Sequence, residues 1–316
     1  MDSRQAPPSF DDVRAALQRI SRHVHRTPVV TCATLDALVG TPLFFKCENL
    51  QKVGAFKYRG ASNAIWKLSD DQLARGVATH SSGNHAQALA LAARQRGAKA
   101  WIVMPSTSLA GKVAAVEGYG GQIVFCENTL EARDSELKRI VDETGAEEVH
   151  PYDDDRVIAG QGTVALELLE DVDELDALIT PVGGGGLLSG SALTVRALRP
   201  QMEIYGAEPE LADDAFESLK TGKRQAPRPP VTVADGLRTA LGVLPFEILK
   251  RDVDDILLVS EEEIVAAMHL IWERAKLVVE PSAAVPLAAL LRYSDSFRGK
   301  RVGVVLSGGN VELPRG

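Results

Sequence analysis

The chain has 316 residues, 45% of them hydrophobic, 25% charged and 5% aromatic, as expected of a soluble globular protein with room for one large domain or two ordinary ones. Its 35 Lys and Arg against 43 Asp and Glu give a formal charge of −8, which argues against nucleic acid or an acidic membrane as a partner. No stretch reaches the roughly 18 to 20 unbroken apolar residues of a membrane span.

In chain order, MDSRQAPPSFDD (1–12) is polar and acidic and reads as a frayed end, not a secretory signal. LFFKC (43–47) is the first β-prone run, and a helix running through Trp66 starts at Lys57 within VGAFKYRGASNAIWKL (53–68). GVATH (76–80) reads as a strand leading through a small polar loop into a helix over 84–96. AWIVM (100–104) and QIVFC (122–126) are strands, and residues 129–144 and 157–170 space their apolar residues at i, i+3, i+4 as helices do. ALITPV (177–182) passes through four glycines into a helix over 186–198, and EIYGAE (203–208) is the next strand. TGKRQAPRPPVTVADG (221–236), rich in proline and basic residues, reads as an excursion within a domain, because alternation resumes with DILLVS (255–260) and a helix over 261–275. VGVVLS (302–307) closes the series. Three well-separated cysteines, Cys32, Cys47 and Cys126, fit a reduced, cytoplasmic chain better than a disulfide framework.

Such alternation is the signature of the α/β class, and near-continuous apolar strands imply parallel-rich sheets covered by helices on both faces. Residues 70–151 hold β/α units of their own and are expected to form a small mobile lobe. Residues 1–69 and 152–316 then make a discontinuous large lobe, with a cofactor-sized cleft between the two.

Four segments carry the chemistry, because ligands of open α/β sheets sit beyond strand carboxyl ends, against the N-termini of the following helices. In the first, Gly54 allows a tight approach, and Lys57 lies at the positive end of a helix dipole, which suits a nucleophilic Schiff-base lysine. On position alone a solvated lysine fits as well. In THSSGNHAQALALAA (79–93), Ser82 and Asn84 are donors and Gly83 permits backbone approach, the alternative being an ordinary capping loop. In PVGGGGLLSG (181–190), the N–H groups of Gly183, Gly184, Gly185 and Gly186 form a phosphate cradle with the helix N-terminus. Neither a dinucleotide fingerprint nor a P-loop can be fitted to it, which leaves a phosphorylated cofactor other than NAD or ATP. In VVLSGGNVEL (304–313), a strand end delivers the Ser307 hydroxyl to the cleft, or simply turns. A reactive lysine, a phosphate cradle and two polar loops in one cleft suggest pyridoxal phosphate.

The runs KCENLQKVGAFKYRGASNA, SSGNHAQALALAA, VIAGQGT, VGGGGLLSG, AEPELADDA, ADGLR, WERAKLVVEPSAA and LSGGNVEL, in order from about residue 26 to 313, resemble the serine/threonine dehydratase and serine racemase family. These are pyridoxal-phosphate enzymes of the tryptophan-synthase-β-like fold (fold type II). The resemblance implies that Lys57 carries the cofactor, with Phe56 packed on its ring and Asn84 bonding the ring hydroxyl. It implies that Gly183, Gly184, Gly185, Gly186 and Leu187 bind the phosphate through their backbone and that Ser307 faces the pyridine nitrogen. Ser81, Ser82, Gly83 and His85 would grip the substrate carboxylate, with Arg133 near the substrate. AEPELADDA resembles a divalent-cation site, implying Glu208, Asp214 and the carbonyl of Ala212 as ligands, and such oxygens suit Mg²⁺, Ca²⁺ or Mn²⁺ rather than Zn²⁺. A solvated acidic helix start is the plain alternative. A homodimer acting on a small amino acid is implied as well.

The implied reaction is β-elimination from L-threonine and L-serine, in which the freed Lys57 amine takes the Cα proton and the β-hydroxyl leaves, giving a 2-oxo acid and ammonia. A neutral Ser307 at the ring nitrogen favours elimination over transamination. Ser82, on the face opposite Lys57, points also to serine racemase activity, and Arg133 to a second carboxylate, as in 3-hydroxyaspartate ammonia-lyases. Lys57, Asn84, Ser307 and the glycine run together argue against a non-catalytic ligand sensor. Two departures stand out. Val53 and Ala55 replace the Thr and Ser of many members, and MPSTSLAGK (104–112) lacks the usual Ala-Pro before its lysine, so the small lobe is expected to close differently. With SGGNVEL close to Gly316, a C-terminal regulatory domain answering to isoleucine is not expected.

Overall fold

The computed structural model describes residues 6–226 and 229–312; residues 1–5, Pro227 and Arg228 of the basic excursion, and Leu313 at the end of the last motif lie outside the described residues. The large sheet is ordered β1 (Val29–Val30), β2 (Leu43–Cys47), β10 (Val302–Leu306), β7 (Ala177–Pro181), β8 (Glu203–Pro209) and β9 (Asp255–Val259). The small sheet is ordered β5 (Gln122–Cys126), β4 (Ala100–Pro105), β3 (Val77–His80) and β6 (Glu147–Glu148). Every pairing is parallel except β1 with β2.

The central strands β7 and β10 are buried along their whole length because helices cover both faces. Helices Ala33–Val39, Glu261–Leu270 and Pro281–Arg292 pack on one side, and Asp155–Asp171, Gly186–Leu198 and Val243–Asp252 on the other. The eight strands read from the sequence all form, to within one residue at each end. The additional strands, β1 and β6, have two residues each, too few to show any period.

Two expectations are corrected. The supposed frayed end is helical from Phe10 to Ile20, started by a capping box in which the Ser9 hydroxyl accepts from the Asp12 N–H and the Asp12 carboxylate accepts from the Ser9 N–H. The helix expected over 261–275 is α only to Leu270, then widens into a π turn, Ile271–Ala275, that ends on Lys276 at φ 59°.

What positions the cleft is the crossing of three helices, Lys57–Trp66, Asp155–Asp171 and Gly186–Leu198. A Cβ on Gly160 would stand 2.7 Å from the Gly60 Cα, and one on Gly190 would stand 2.5 Å from the Gly162 nitrogen. The VIAGQGT run is therefore a double groove, with one glycine seating the Lys57 helix and the other the helix after the glycine run. The same contact is locked by charge. Arg59, fully buried, donates to both oxygens of Glu48 (2.8 and 2.8 Å) and of Glu167 (2.7 and 2.8 Å), while Lys46 Nζ donates to Glu167 and to the Thr27 carbonyl, each at 2.8 Å. Two acids and two bases cancel, so the cluster is buried without net charge.

Arg59→Met would leave Glu48 in the core without a cation and Glu167 with Lys46 alone, and the expected loss is about 3–5 kcal/mol of unfolding free energy. Urea denaturation checks this, and a midpoint unchanged from wild type would show the network to be dispensable.

Candidate active site

Lys57 is the first residue of its helix, and the turn before it is unusual: Val53 and Gly54 both lie in the left-handed region, at φ 57° and 67°. The C-terminal loop holds this turn. Asn310 Nδ2 donates to the Val53 carbonyl (2.7 Å), Gly309 N–H to the Gly54 carbonyl (2.9 Å), and Phe56 N–H to the Ser307 carbonyl (3.0 Å). The first and fourth sequence segments are thus stitched together, with Ser307 buried at the end of β10. The Lys57 amine donates to the Pro151 carbonyl at 2.8 Å, and its nitrogen stands 5.2 Å from the Phe56 ring centre and 5.8 Å from that of Tyr152. Burial pulls the amine down to about 8. Desolvation drives the shift, in the same direction that the helix dipole favours.

The second segment is not a capping loop. Gly83 occupies the N-cap of the helix Asn84–Gln95 and no side chain caps it. The Ser81 hydroxyl accepts from the Gly83 N–H (3.3 Å), and Ser82 is half-buried with no side-chain hydrogen bond among the described residues. Asn84 Nδ2 donates to both oxygens of Glu280 (2.9 and 3.2 Å), and Asn84 Oδ1 accepts from Asn310 Nδ2 (2.9 Å). His85 is buried, with Nε2 3.1 Å from the Val149 carbonyl and Nδ1 unpartnered; burial first, then neighbouring Lys57, pushes the ring down to about 3.

In the glycine run, Gly185 turns at φ 88° as the N-cap of the helix Gly186–Leu198, again without a side-chain cap. The first N–H groups of that helix therefore face the loop unsatisfied, as an anion site requires. Leu187 is buried in its first turn. Arg133 stands at the start of the helix Leu130–Thr144, close enough to His80 to act on its charge. It donates through Nη2 to Asn128 (2.7 Å), while its buried Nε has no partner. Glu208, buried at the end of β8, accepts from the Ala215 and Phe216 N–H groups (3.1 and 2.9 Å), and Asp214 accepts from the Leu241 N–H (2.7 Å). Burial raises both carboxyls, Glu208 well above the usual range. Ala212 is buried between them in sequence, and among the described residues no three His, Cys, Asp or Glu side chains converge.

Sequence reasoning missed Glu280 and Tyr152. Glu280 sits at the N-cap of a proline-led helix but does not cap it; it turns instead to Asn84 and accepts from the Asn310 N–H (3.1 Å). The available signal was that glutamate is a poor N-cap residue, so the acid in VVEPSAA needed another role. Tyr152 gave no signal, since only the fold brings it to Lys57.

A desolvated amine beside an uncapped, glycine-lined helix start suits a phosphorylated aldehyde, and the residues present fit pyridoxal phosphate. Fold and site together define a pyridoxal-phosphate enzyme of the two-lobed, tryptophan-synthase-β-like type II fold. Residues 20–308 match the family described as "Pyridoxal-phosphate dependent enzyme", and the chain belongs to it, within its serine/threonine dehydratase and serine racemase group. It is 50% identical to the beta-hydroxyaspartate dehydratase of Paracoccus denitrificans over 308 residues, covering 98% of each chain. Among solved structures it is similar to serine racemase from Dictyostelium discoideum (48% identity, TM-score 0.94, covering 98% of this chain and 100% of that one). It is similar also to maize serine racemase (47%, 0.95, 98% and 95%) and to a T.th. threonine deaminase (44%, 0.93, 98% and 100%).

Burial raises the Glu280 carboxyl from its ordinary 4.5 to about 7. The folded state then holds this proton to higher pH than the unfolded chain, so the stability the group contributes falls as pH rises from about 4.5 to about 7. Glu280→Gln cannot ionise, and its stability relative to wild type should grow across that window in urea titrations. A constant difference from pH 4.5 to 7 would show that Glu280 titrates normally.

Proposed function

We propose that this chain is an ammonia-lyase for β-hydroxy amino acids, converting L-threonine and L-serine to a 2-oxo acid and ammonia, with serine racemase activity alongside. The observation that carries it is the Lys57 amine, desolvated to about 8 and held at 2.8 Å by the Pro151 carbonyl. At neutral to mildly alkaline pH such a group exchanges a proton readily, which is what abstraction at Cα demands. Bound pyridoxal phosphate supplies the electron sink that acidifies the Cα–H. Lys57 takes that proton on one face, and the unpartnered Ser82 hydroxyl serves the other. Asn84, braced by Glu280 and Asn310, orients the ring hydroxyl, the uncapped N–H groups of Gly183–Gly186 and Leu187 hold the phosphate, and Ser307 offers a neutral partner to the ring nitrogen. Ser81, Gly83 and His85 receive the substrate carboxylate.

Mg²⁺ or a similar hard cation at Glu208, Asp214 and the Ala212 carbonyl would relieve two carboxyls raised by burial, Glu208 being raised further by the charge of Asp214. Because Asp214 accepts from Leu241, whose side chain walls Gly185, an ion there would also brace the phosphate cradle. Residues 70–151 act as the lobe that moves over the cleft, and the enzyme works as a cytoplasmic homodimer; among the described residues no helix is long and apolar enough to cross a membrane.

A second reading, 3-hydroxyaspartate as the preferred substrate, is favoured by Arg133, whose buried Nε lacks any partner and would gain one from a second carboxylate. A product screen with L-serine, L-threonine, D-serine and both 3-hydroxyaspartates separates the readings. Lys57→Ala should abolish every reaction. Ser82→Ala should lose reactions of the D-enantiomer by about 100-fold or more while L-elimination stays within about tenfold, general acid–base groups contributing on that scale; equal loss for both enantiomers sinks the two-face assignment. Arg133→Ala should lower kcat/KM for 3-hydroxyaspartate by roughly 10–100-fold more than for L-serine, the range of one charge-assisted hydrogen bond. Parallel losses on the two substrates would remove the dicarboxylate reading.

A further inference from the structure

Tyr152 touches both halves of the cofactor site, and its surroundings fix it there. Pro151, before it, accepts from the Lys57 amine. Asp153, after it, accepts from the Val243 and Leu244 N–H groups, each at 2.8 Å, and Gly242 beside them donates to the Gly184 carbonyl (3.1 Å). The His150 ring packs edge-on at 4.6 Å, and its Nδ1 accepts from the Asp153 N–H (2.9 Å). The Tyr152 hydroxyl makes no hydrogen bond among the described residues, so what the site uses is the ring.

The four glycines of the run are glycines for different reasons. Gly185 needs its left-handed backbone, and a Cβ there would also meet Leu241 and Pro245 at 2.7 Å. Gly183 faces Leu237 and Thr239. Gly184 has no left-handed backbone, and a Cβ on it would stand 2.3 Å from two atoms of the Tyr152 ring. Gly186, too, has the Cβ of Tyr152 as the nearest neighbour to its own Cβ position, at 3.1 Å.

We propose that Tyr152 is a positioning residue whose ring sets the spacing between the Schiff-base lysine and the phosphate-binding glycine run, and that Gly184 is glycine to admit this ring rather than the phosphate. One rigid ring stands against the loop at Gly184 and lies 5.8 Å from the lysine nitrogen. It therefore fixes the cradle relative to the amine before any cofactor arrives, which lowers the ordering cost of binding. The proposal rests on Lys57 and the glycine run being the cofactor site, and a wild-type chain that binds no pyridoxal phosphate would overturn both readings at once.

The test is a double-variant cycle on holoenzyme stripped with hydroxylamine and retitrated with pyridoxal phosphate by absorbance. Tyr152→Phe should bind within about twofold of wild type, since the ring remains, and Tyr152→Ala about tenfold more weakly. Gly184→Ala should also lose about tenfold, and the pair Tyr152→Ala with Gly184→Ala should bind several-fold tighter than the product of the single losses, because removing the ring makes room for the methyl group. Gly185→Ala, strained by its own backbone, should gain nothing from Tyr152→Ala. Additive losses for the Gly184 pair, a phenylalanine variant as weak as the alanine one, or rescue at Gly185 would each overturn the proposal. If Tyr152→Ala does not fold, Tyr152→Leu takes its place in the cycle with the same outcomes.

Discussion

Lys57 and Arg59 are two residues apart on one helix, so they leave its axis roughly 200° apart, and fixing one side fixes the other. Arg59 is fixed: Glu48 from the segment after β2 and Glu167 from the helix Asp155–Asp171 hold its guanidinium at four short bonds in a fully buried site. Glu167 also binds Lys46 on β2, so the large sheet, the Lys57 helix and the helix behind it share one neutral ion cluster. The glycine contacts Gly60–Gly160 and Gly162–Gly190 then leave the helices no freedom to slide apart or rotate. Replaced by apolar side chains of equal volume, such a cluster would cost the protein little stability. What it specifies is direction: an amine in the cleft and a glycine-lined helix start at a set distance from it.

The same anchoring lets the cleft hold features that are unfavourable on their own. Val53 is β-branched at φ 57°, a conformation that costs of order 1–3 kcal/mol and persists only where neighbours impose it. Asn310 and Gly309 impose it from the far end of the chain. Three helices begin at the cleft without side-chain caps, those at Lys57, Asn84 and Gly186, as do others such as Ala33–Val39 and Ser294–Phe297. At Gly186 this leaves N–H groups open to an anion, whereas at the Lys57 helix the Ala55 and Phe56 carbonyls accept from the Tyr58 and Arg59 N–H groups.

Much of this was legible in the sequence. Alternating apolar runs placed every strand of five or more residues and the four-residue β3, because buried parallel strands must be apolar throughout. The glycine run and Lys57 were legible because their chemistry needs particular residue types at particular junctions. The N-terminal helix was not, since its core-facing residues, Val13, Ala16 and Ile20, are small or sparse and the polar start masked a capping box. Glu280, Tyr152 and the Arg59 cluster were not either. Their roles depend on residues up to 196 positions away in the chain, as with Glu280 and Asn84, and no local pattern encodes such a contact. The desolvation of Lys57 was not legible either, because burial against Pro151, Phe56 and Tyr152 depends on the fold whereas a dipole can be read from a helix start.

The protonation states in the cleft narrow the division of labour. Burial pushes His85 down to about 3 and His150 to about 4, so both rings are neutral throughout the range in which the enzyme would work. A neutral imidazole with a pKa that low is too weak a base to take a Cα proton and lacks the acidic proton of an imidazolium. The Glu280 carboxyl, near 7, is committed to Asn84 and the Asn310 backbone. Among the groups placed around the cleft, the Lys57 amine, at about 8, combines a mid-range proton affinity with a single hydrogen-bond partner, the Pro151 carbonyl. Ser82 retains a hydroxyl that no neighbour occupies. On the function proposed above, proton transfer on the two faces of a bound amino acid would fall to an amine and a hydroxyl of unequal strength. On that proposal the enzyme would eliminate by default and racemise only as far as Ser82 could return a proton before the β-substituent left.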